Sequence, residues 1–138
     1  LVTPAQIESL VQTCLAHANS GCDLPGGLLA LPLPDTLKLQ LPRVPAEAKT
    51  LPRVGQTLER ADKWLAQTPQ MFRLGDLQRA LCEAAAHNFA GITDEASAIE
   101  AVGGRPLLVL GSAQNFKVTY PDDFVLAEAL LRKRQTSC

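Results

Sequence analysis

The sequence has no excess of charge of either sign and few aromatic residues. Its 13 Lys and Arg residues nearly balance 14 Asp and Glu residues, and aromatic residues make up 4% of the chain. Proteins that bind nucleic acids or anionic membranes need Lys and Arg clustered on one face, and binders of single strands stack bases on aromatic side chains. We therefore expect neither a nucleic acid nor a membrane among the partners of this chain.

Long apolar runs and closely spaced cysteines are also missing. The longest apolar runs, Leu28 to Leu33 and Leu107 to Leu110, are much shorter than the ~18 residues that a membrane span requires. The first residues lack the basic and apolar segments of a signal peptide. The four cysteines are too far apart in the sequence for a metal or redox motif and too sparse for a disulfide scaffold. This pattern predicts reduced thiols and a cytoplasmic location.

Apolar residues recur at helical spacing in four segments. The first segment opens with a hydroxyl residue, a proline and a glutamine in the pattern of a capping box, and Gly21 is expected to end it. In the last segment we expect Phe124, Ala127, Leu130 and Leu131 to face inward. The predicted helices begin at Thr3, Leu74, Thr93 and Pro121.

Two short apolar runs are typical of strands covered on both faces, and these are Gly26 to Leu31 and Pro106 to Leu110. A further short strand is predicted at Asn115 to Thr119. Because strands alternate with helices, the sequence predicts one α/β domain over residues 1–138 with a largely parallel sheet.

The segment from Asp35 to Glu59 has no apolar periodicity and contains Pro42, Pro45 and Pro52. It is predicted to be an extended arm or a long loop that lies outside the core. Loops of this length without structure of their own are uncommon in compact domains, and many of them are functional. We expect the arm either to fold against another chain or to be mobile.

Polar residues lie at the edges of these elements, where α/β proteins place their ligands. Together they offer two cations, three hydroxyls and a helix N-terminus, which suits an anionic, hydroxylated ligand such as a sugar phosphate or polyol phosphate. Each residue also has a purely structural interpretation, as a helix cap, a turn or a solvated strand end. The candidate binding residues are Thr36, Arg60, Thr68, Thr93 and Lys117.

The order and spacing of four segments closely resemble the 2-C-methyl-D-erythritol 4-phosphate cytidylyltransferase family along essentially the whole chain. The segments are Asp35-Thr36-Leu37-Lys38, Arg60 eight residues before Thr68-Pro69-Gln70-Met71-Phe72, Thr93-Asp94-Glu95-Ala96-Ser97-Ala98, and Asn115-Phe116-Lys117-Val118-Thr119 with Pro121-Asp122-Asp123.

The resemblance implies a Rossmann-like nucleotidyltransferase fold, a three-layer α/β sandwich. It also implies an enzyme that joins CTP to 2-C-methyl-D-erythritol 4-phosphate, releases pyrophosphate with Mg²⁺ present and serves non-mevalonate isoprenoid synthesis. Family members carry a glycine-rich CTP loop, whereas this sequence has neither a GxGxxG motif nor a P-loop. The chain is therefore expected to be the C-terminal portion of such an enzyme, inactive alone, with the metal ligands outside it.

By the same resemblance, Lys117 and Arg60 position the polyol phosphate, and Thr36, Thr68 and Thr93 line its site. The arm, residues 36–60, is expected to project across a homodimer and complete the partner's site. Two alternatives stay open, namely a non-catalytic module for sugar-phosphate binding or dimerisation, and a transferase for another sugar nucleotide.

Overall fold

The structure is a computed structural model that describes residues 1–18, 26–42 and 51–136. It divides the chain into two compact units, a larger one of residues 1–31 and 66–138 and a smaller one of residues 32–65. The elements are α1 (Pro4–Ala18), β1 (Gly26–Pro32), β2 (Leu37–Gln40), β3 (Val54–Leu58), β4 (Trp64–Phe72), α2 (Leu74–Ala86), α3 (Glu95–Ala101), β5 (Leu107–Leu110) and α4 (Pro121–Gln135). None of the helices in the described ranges is long and apolar enough to cross a membrane.

Helix α1 begins where its capping residues predict. The Gln6 amide N–H donates to Thr3 Oγ1 at 3.3 Å, and the Thr3 N–H donates to Gln6 Oε1 at 2.8 Å. These reciprocal bonds satisfy donors that the first helical turn leaves without partners. The expected end of this helix at Gly21 lies outside the described residues.

The sheet of the larger unit has the strand order β4-β1-β5. Strands β1 and β5 are parallel, with Leu29 opposite Val109, which confirms both predicted strands. Leu29 and Val109 pack with Leu10 and Cys14 of α1 to form one apolar cluster. Parallel strands buried in this way consist of continuous apolar runs, as these do.

Strand β4 runs antiparallel to β1 and was not among the strands predicted from the sequence. Gly26, at the start of β1, lies against Met71 near the end of β4. A side chain at Gly26, whose φ is +131°, would collide with the Met71 carbonyl, so this close approach requires glycine. A turn was one structural interpretation of Thr68-Pro69, whereas the structure places Pro69 in β4, an edge strand of the described sheet, where proline is tolerated.

Helices α2 and α3 pack on each other around a second cluster. Its buried members are Ala80, Ala98 and Ile99, and small residues at such a contact let two helices approach closely. The predicted helices α2 and α4 are confirmed. Helix α3 begins at Glu95, two residues after the predicted start at Thr93, because Asp94 is its N-cap.

Two further predictions about the larger unit are wrong. Residues 115–119 form a loop rather than a strand, because they pair with no strand of the described chain. In α4, Ala127 is buried as expected, whereas Phe124 and Leu131 are exposed. A run of apolar residues on several sides of one helix does not specify which side meets the core.

The smaller unit contains an antiparallel ribbon in which Leu37 lies opposite Leu58 and Lys38 opposite Thr57. The Lys38 ammonium donates to Thr57 Oγ1 across the ribbon at 2.7 Å. The predicted arm is therefore extended at 37–40 and 54–58, where its residues form paired strands rather than a long loop. Its placement outside the core is consistent with the exposure of Leu39 and Val54. Residues 43–50 lie outside the described ranges, and a single domain with an arm stays a prediction.

Truncating the centre of the sheet tests this core. We expect Leu29→Ala to lower the free energy of unfolding by about 2–5 kcal/mol, because a fully buried leucine leaves a cavity when it is removed. Urea unfolding followed by circular dichroism measures the change. Leu74→Ala is the matched control, since this leucine is 80% exposed, and should change the value by no more than about 0.5 kcal/mol. Equal losses in the two variants would contradict the assigned core.

Candidate functional site

Thr68 lies in the middle of β4 between two glutamines, Gln67 and Gln70. Its peptide bond to Pro69 is cis. The Thr68 side chain is exposed, and its hydroxyl has no hydrogen-bond partner among the described residues. The Thr68 carbonyl accepts a hydrogen bond from Asn115 Nδ2 at 2.6 Å. Strand β4 therefore presents a free hydroxyl while its backbone contacts the loop that follows β5.

Thr93 precedes a tightly capped helix start. Asp94 Oδ1 accepts from the Ser97 N–H at 2.9 Å, and Ser97 Oγ accepts from the N–H groups of Asp94 and Thr93 at 3.0 and 2.9 Å. Gln70 joins this turn from β4, because its Nε2 donates to Asp94 Oδ2 at 2.8 Å. The Thr93 hydroxyl is exposed and has no partner in the described chain.

Burial raises the pKa of Asp94, but three hydrogen bonds outweigh it. The bonds come from the Gln70 amide, the Ser97 N–H and the Ser97 hydroxyl, and together they hold the pKa of this carboxyl below its usual range. Asp94 is therefore ionised near neutral pH, at the positive end of the α3 dipole, where a negative charge is favourable.

Lys117 lies in a loop that is anchored on both sides. Before it, Gln67 Nε2 donates to the Ser112 carbonyl at 2.9 Å, and Asn115 bonds to β4 as described. After it, Asp123 Oδ2 accepts from the N–H groups of Thr119 and Tyr120, both at 2.8 Å. Lys117 itself is exposed, and its ammonium has no hydrogen-bond or ion-pair partner in residues 1–18, 26–42 and 51–136. Its full charge is thus available to an anionic ligand.

The N–H groups of Tyr120 and Thr119 also change the pKa of the carboxylate that accepts from them. Backbone hydrogen bonds from Tyr120 and Thr119 hold the pKa of Asp123 below its usual range. Asp123 is therefore ionised near neutral pH, and its charge is directed to the backbone of the α4 N-terminus. It forms no ion pair with Lys117.

Thr36 and Arg60 belong to the smaller unit. The Arg60 guanidinium donates to the Pro34 carbonyl, two residues before Thr36. The Arg60 N–H donates to Glu59 Oε1 at 3.0 Å. Both Thr36 and Arg60 are exposed, and the Thr36 hydroxyl has no partner among the residues that the structure describes.

The structure thus ties together three of the five predicted residues and holds the other two in a separate unit. Hydrogen bonds join the segments that carry Thr68, Thr93 and Lys117. An ammonium and hydroxyls that have no partners in the described chain, carried on joined segments, suit an anion with hydroxyl groups. Sequence reasoning missed Gln67, and the signal available was its position directly before the Thr68-Pro69-Gln70 motif.

Within the described ranges, no three His, Cys, Asp or Glu side chains lie close enough together to hold a metal ion. The Mg²⁺ implied by the resemblance stays a prediction.

Comparison with known proteins gives a consistent result. A family model described as 2-C-methyl-D-erythritol 4-phosphate cytidylyltransferase, IspD, matches residues 2–133. The chain is 56% identical over 136 residues to a bifunctional IspD/IspF enzyme of Albidiferax ferrireducens, covering 99% of the chain and 28% of that enzyme. It is 53% identical over 130 residues to a 2-C-methyl-D-erythritol 4-phosphate cytidylyltransferase of Ralstonia nicotianae, covering 94% of the chain and 47% of that protein.

A solved structure of the Francisella tularensis 2-C-methyl-D-erythritol 4-phosphate cytidylyltransferase superposes with a TM-score of 0.74 at 35% identity. The match covers 92% of this chain and 52% of that one. A 4-diphosphocytidyl-2C-methyl-D-erythritol synthase structure gives a TM-score of 0.72 at 38% identity and covers 94% and 51%. The α/β nucleotidyltransferase fold is thereby confirmed. The chain spans about half the length of these solved structures.

Removing the Asp94 carboxylate tests the capped turn. We expect Asp94→Ala to lower the free energy of unfolding by about 1 kcal/mol at neutral pH, as is typical for a lost N-cap. The folded-state pKa of Asp94 lies below its unfolded value, so the stabilisation is complete above about pH 4 and is lost as the pH falls through the folded pKa.

Urea unfolding of wild type and variant from neutral to acid pH measures this dependence. The difference between them should shrink as the pH falls. Glu83→Ala is the control, because Glu83 is an exposed acid on α2 with no hydrogen bond or ion pair in the described chain, and its small effect should not follow that pH course. A difference that widens toward acid pH would refute the role of the ionised Asp94.

Proposed function

Because the chain belongs to the 2-C-methyl-D-erythritol 4-phosphate cytidylyltransferase family, we propose that it forms part of an enzyme that transfers CMP from CTP to 2-C-methyl-D-erythritol 4-phosphate and releases pyrophosphate. The supporting observation is that the family match spans three segments that hydrogen bonds join, and that these segments carry the free hydroxyls of Thr68 and Thr93 and the Lys117 ammonium. The chain supplies the polyol-phosphate side of the site. The glycine-rich CTP loop, which has no counterpart in these 138 residues, belongs to the remainder of the enzyme.

In this reaction a phosphate oxygen of the polyol phosphate attacks the α-phosphorus of CTP. The new P–O bond forms as the bond between the α-phosphorus and the bridging oxygen breaks, and pyrophosphate carries away that electron pair. Because the substrate supplies its own nucleophile, the protein needs no Ser, Cys or His for covalent catalysis. Its task is to position two anions and to offset their repulsion.

Lys117 suits this task because its ammonium is exposed and unpaired in the described chain. We assign it the polyol phosphate as ligand, with the hydroxyls of Thr68 and Thr93 contacting the same substrate. Arg60 and Thr36 are assigned to the same ligand, and the planar guanidinium of Arg60 can bind two phosphate oxygens at once.

The smaller unit gives the arm a role in a homodimer. We propose that residues 36–60 extend to a second copy, so that Arg60 and Thr36 complete the partner's site. The exposed leucines and valine of the ribbon support this proposal, because a two-stranded ribbon is marginally stable on its own. Divalent metal use, expected of the family as Mg²⁺, and a cytoplasmic location complete the proposed function.

Alanine substitution tests the two cations. In the full-length gene product we expect Lys117→Ala and Arg60→Ala each to reduce turnover of CTP and 2-C-methyl-D-erythritol 4-phosphate by ~100-fold or more, because misplacing a reacting group by about an ångström has that effect. Pyrophosphate release is the measurement. Arg79→Ala and Arg53→Ala, exposed cations of the larger and smaller units, are the matched controls and should retain activity. Near-normal turnover in both test variants would refute the proposed site.

The same assay tests the whole proposal against its alternatives. Turnover only with a different phosphate acceptor or nucleoside triphosphate would identify another sugar-nucleotide transferase. Binding of the polyol phosphate without any pyrophosphate release would identify a non-catalytic module.

Mixing two inactive variants tests whether the arm acts across a dimer. If Lys117 and Arg60 of one site come from different copies, a mixed dimer of the Lys117→Ala and Arg60→Ala proteins has one intact site and one doubly altered site. Random exchange between symmetric dimers should therefore restore about a quarter of wild-type turnover. Mixing Lys117→Ala with itself at the same total concentration is the control. No recovery after verified exchange would place both cations in one copy.

A further inference from the structure

We infer that Gln67 and Gln70 are positioning residues, and that their side-chain amides hold the Lys117 loop and the Thr93 turn in place relative to Thr68. Neither glutamine needs to touch the substrate, and the inference rests on the proposed function. Each of these two amides makes two hydrogen bonds, and the bonds link β4 to segments at least 24 residues away.

Gln70 uses both ends of its amide on the start of α3. Its Nε2 donates to Asp94 Oδ2 at 2.8 Å, and its Oε1 accepts from the Ala96 N–H at 2.8 Å. The Ala96 N–H is one of the first-turn donors that a helix cannot satisfy internally. Because α3 has only seven residues, it gains little stability from its own backbone bonds. Its N-terminal turn, which carries Thr93, is thus located by the strand beside it.

Gln67 makes the equivalent contact with the loop that carries Lys117. Its Nε2 donates to the Ser112 carbonyl at 2.9 Å, and its Oε1 accepts from the Ser112 N–H at 3.3 Å. These two bonds fix the backbone of Ser112, two residues after β5 ends at Leu110. Gly111 permits this approach, because a Cβ at that position would collide with the Gln67 side chain.

Both contacts originate in four consecutive residues of β4, with Thr68 between the two glutamines. Asn115 reinforces the second contact by donating to the Thr68 carbonyl, two residues before Lys117. All of these bonds are part-buried or end on backbone atoms, whereas the hydroxyls of Thr68 and Thr93 and the Lys117 ammonium make none in the described chain. The amide side chains therefore hold the segments in place, and the two hydroxyls and the ammonium remain free for a ligand.

Replacing each amide by a carboxylate of nearly the same shape isolates this role. A carboxylate cannot donate. Gln70→Glu therefore places a second anion against Asp94, and Gln67→Glu places an oxygen against the Ser112 carbonyl. Gln12→Glu on the exposed side of α1 is the charge-matched control. Ile99→Val is a stability control, because it trims a buried residue of α3 without altering the amide contacts.

Steady-state kinetics of the full-length gene product are the first readout. We expect Gln70→Glu and Gln67→Glu to lower kcat/KM for the polyol phosphate by about 10- to 100-fold while leaving KM for CTP unchanged. The two controls should leave both constants unchanged, even where Ile99→Val lowers the thermal midpoint as much as the test variants do. A loss that simply follows thermal stability, or unchanged kinetics in an active enzyme, would overturn the positioning role.

Amide hydrogen exchange is the second readout and does not depend on catalysis. Here each glutamine is replaced by leucine, because a carboxylate would still accept from the Ala96 or Ser112 N–H. Gln70→Leu should lower protection at Ala96 but not at Ser112, and Gln67→Leu should do the reverse. If the wild-type enzyme fails to turn over its proposed substrates, the proposed function is wrong, while this crossed pattern still supports the two contacts. Protection that is unchanged, or lost uniformly, would overturn them.

Discussion

Parallel pairing of β1 with β5 is the constraint on which the rest of the larger unit depends. Parallel strands bring their carboxyl ends to one edge of a sheet, where α/β proteins place their ligands. The Gly111 N–H donates to the Ala30 carbonyl at 2.8 Å, so the loop after β5 leaves the sheet beside the end of β1. Strand β4 then brings Gln67 and Thr68 to the same edge. Thr68 and the loop that carries Lys117 meet beside this edge, whereas the turn that carries Thr93 is held by Gln70, next to the Met71 that lies against the start of β1.

Hydrogen bonds from uncharged donors fix these segments, and they leave the Lys117 ammonium without a partner in the described chain. The carboxylates of Asp94 and Asp123 are satisfied by amide and hydroxyl donors around two helix starts, and neither pairs with Lys117. An ion pair would have to be broken before an anionic ligand could bind. Side-chain amides hold the segments instead, so the Lys117 ammonium has no carboxylate partner in the described chain that a ligand would have to displace.

The smaller unit follows a different principle. None of the described residues in 32–42 and 51–65 is fully buried, and Leu39, Leu51 and Val54 are well exposed. A ribbon of two strands cannot bury an apolar face by itself. Cross-strand pairing, together with the hydrogen bond from Lys38 to Thr57, gives it shape, and a second surface is needed to cover its leucines. The proposed dimer supplies such a surface.

Local patterns in the sequence determined α1, α2, α4, β1 and β5, because periodicity and capping residues act over a few neighbours. The same patterns, with the family resemblance, singled out Thr68, Thr93 and Lys117. Tertiary structure decided what local patterns do not encode. It placed Pro69 within a strand, turned residues 115–119 into a loop, brought Gln67 to Ser112 and joined Gln70 to Asp94. The Gln67 and Gln70 contacts are made with partners 45 and 24 residues away, and no local spacing specifies them.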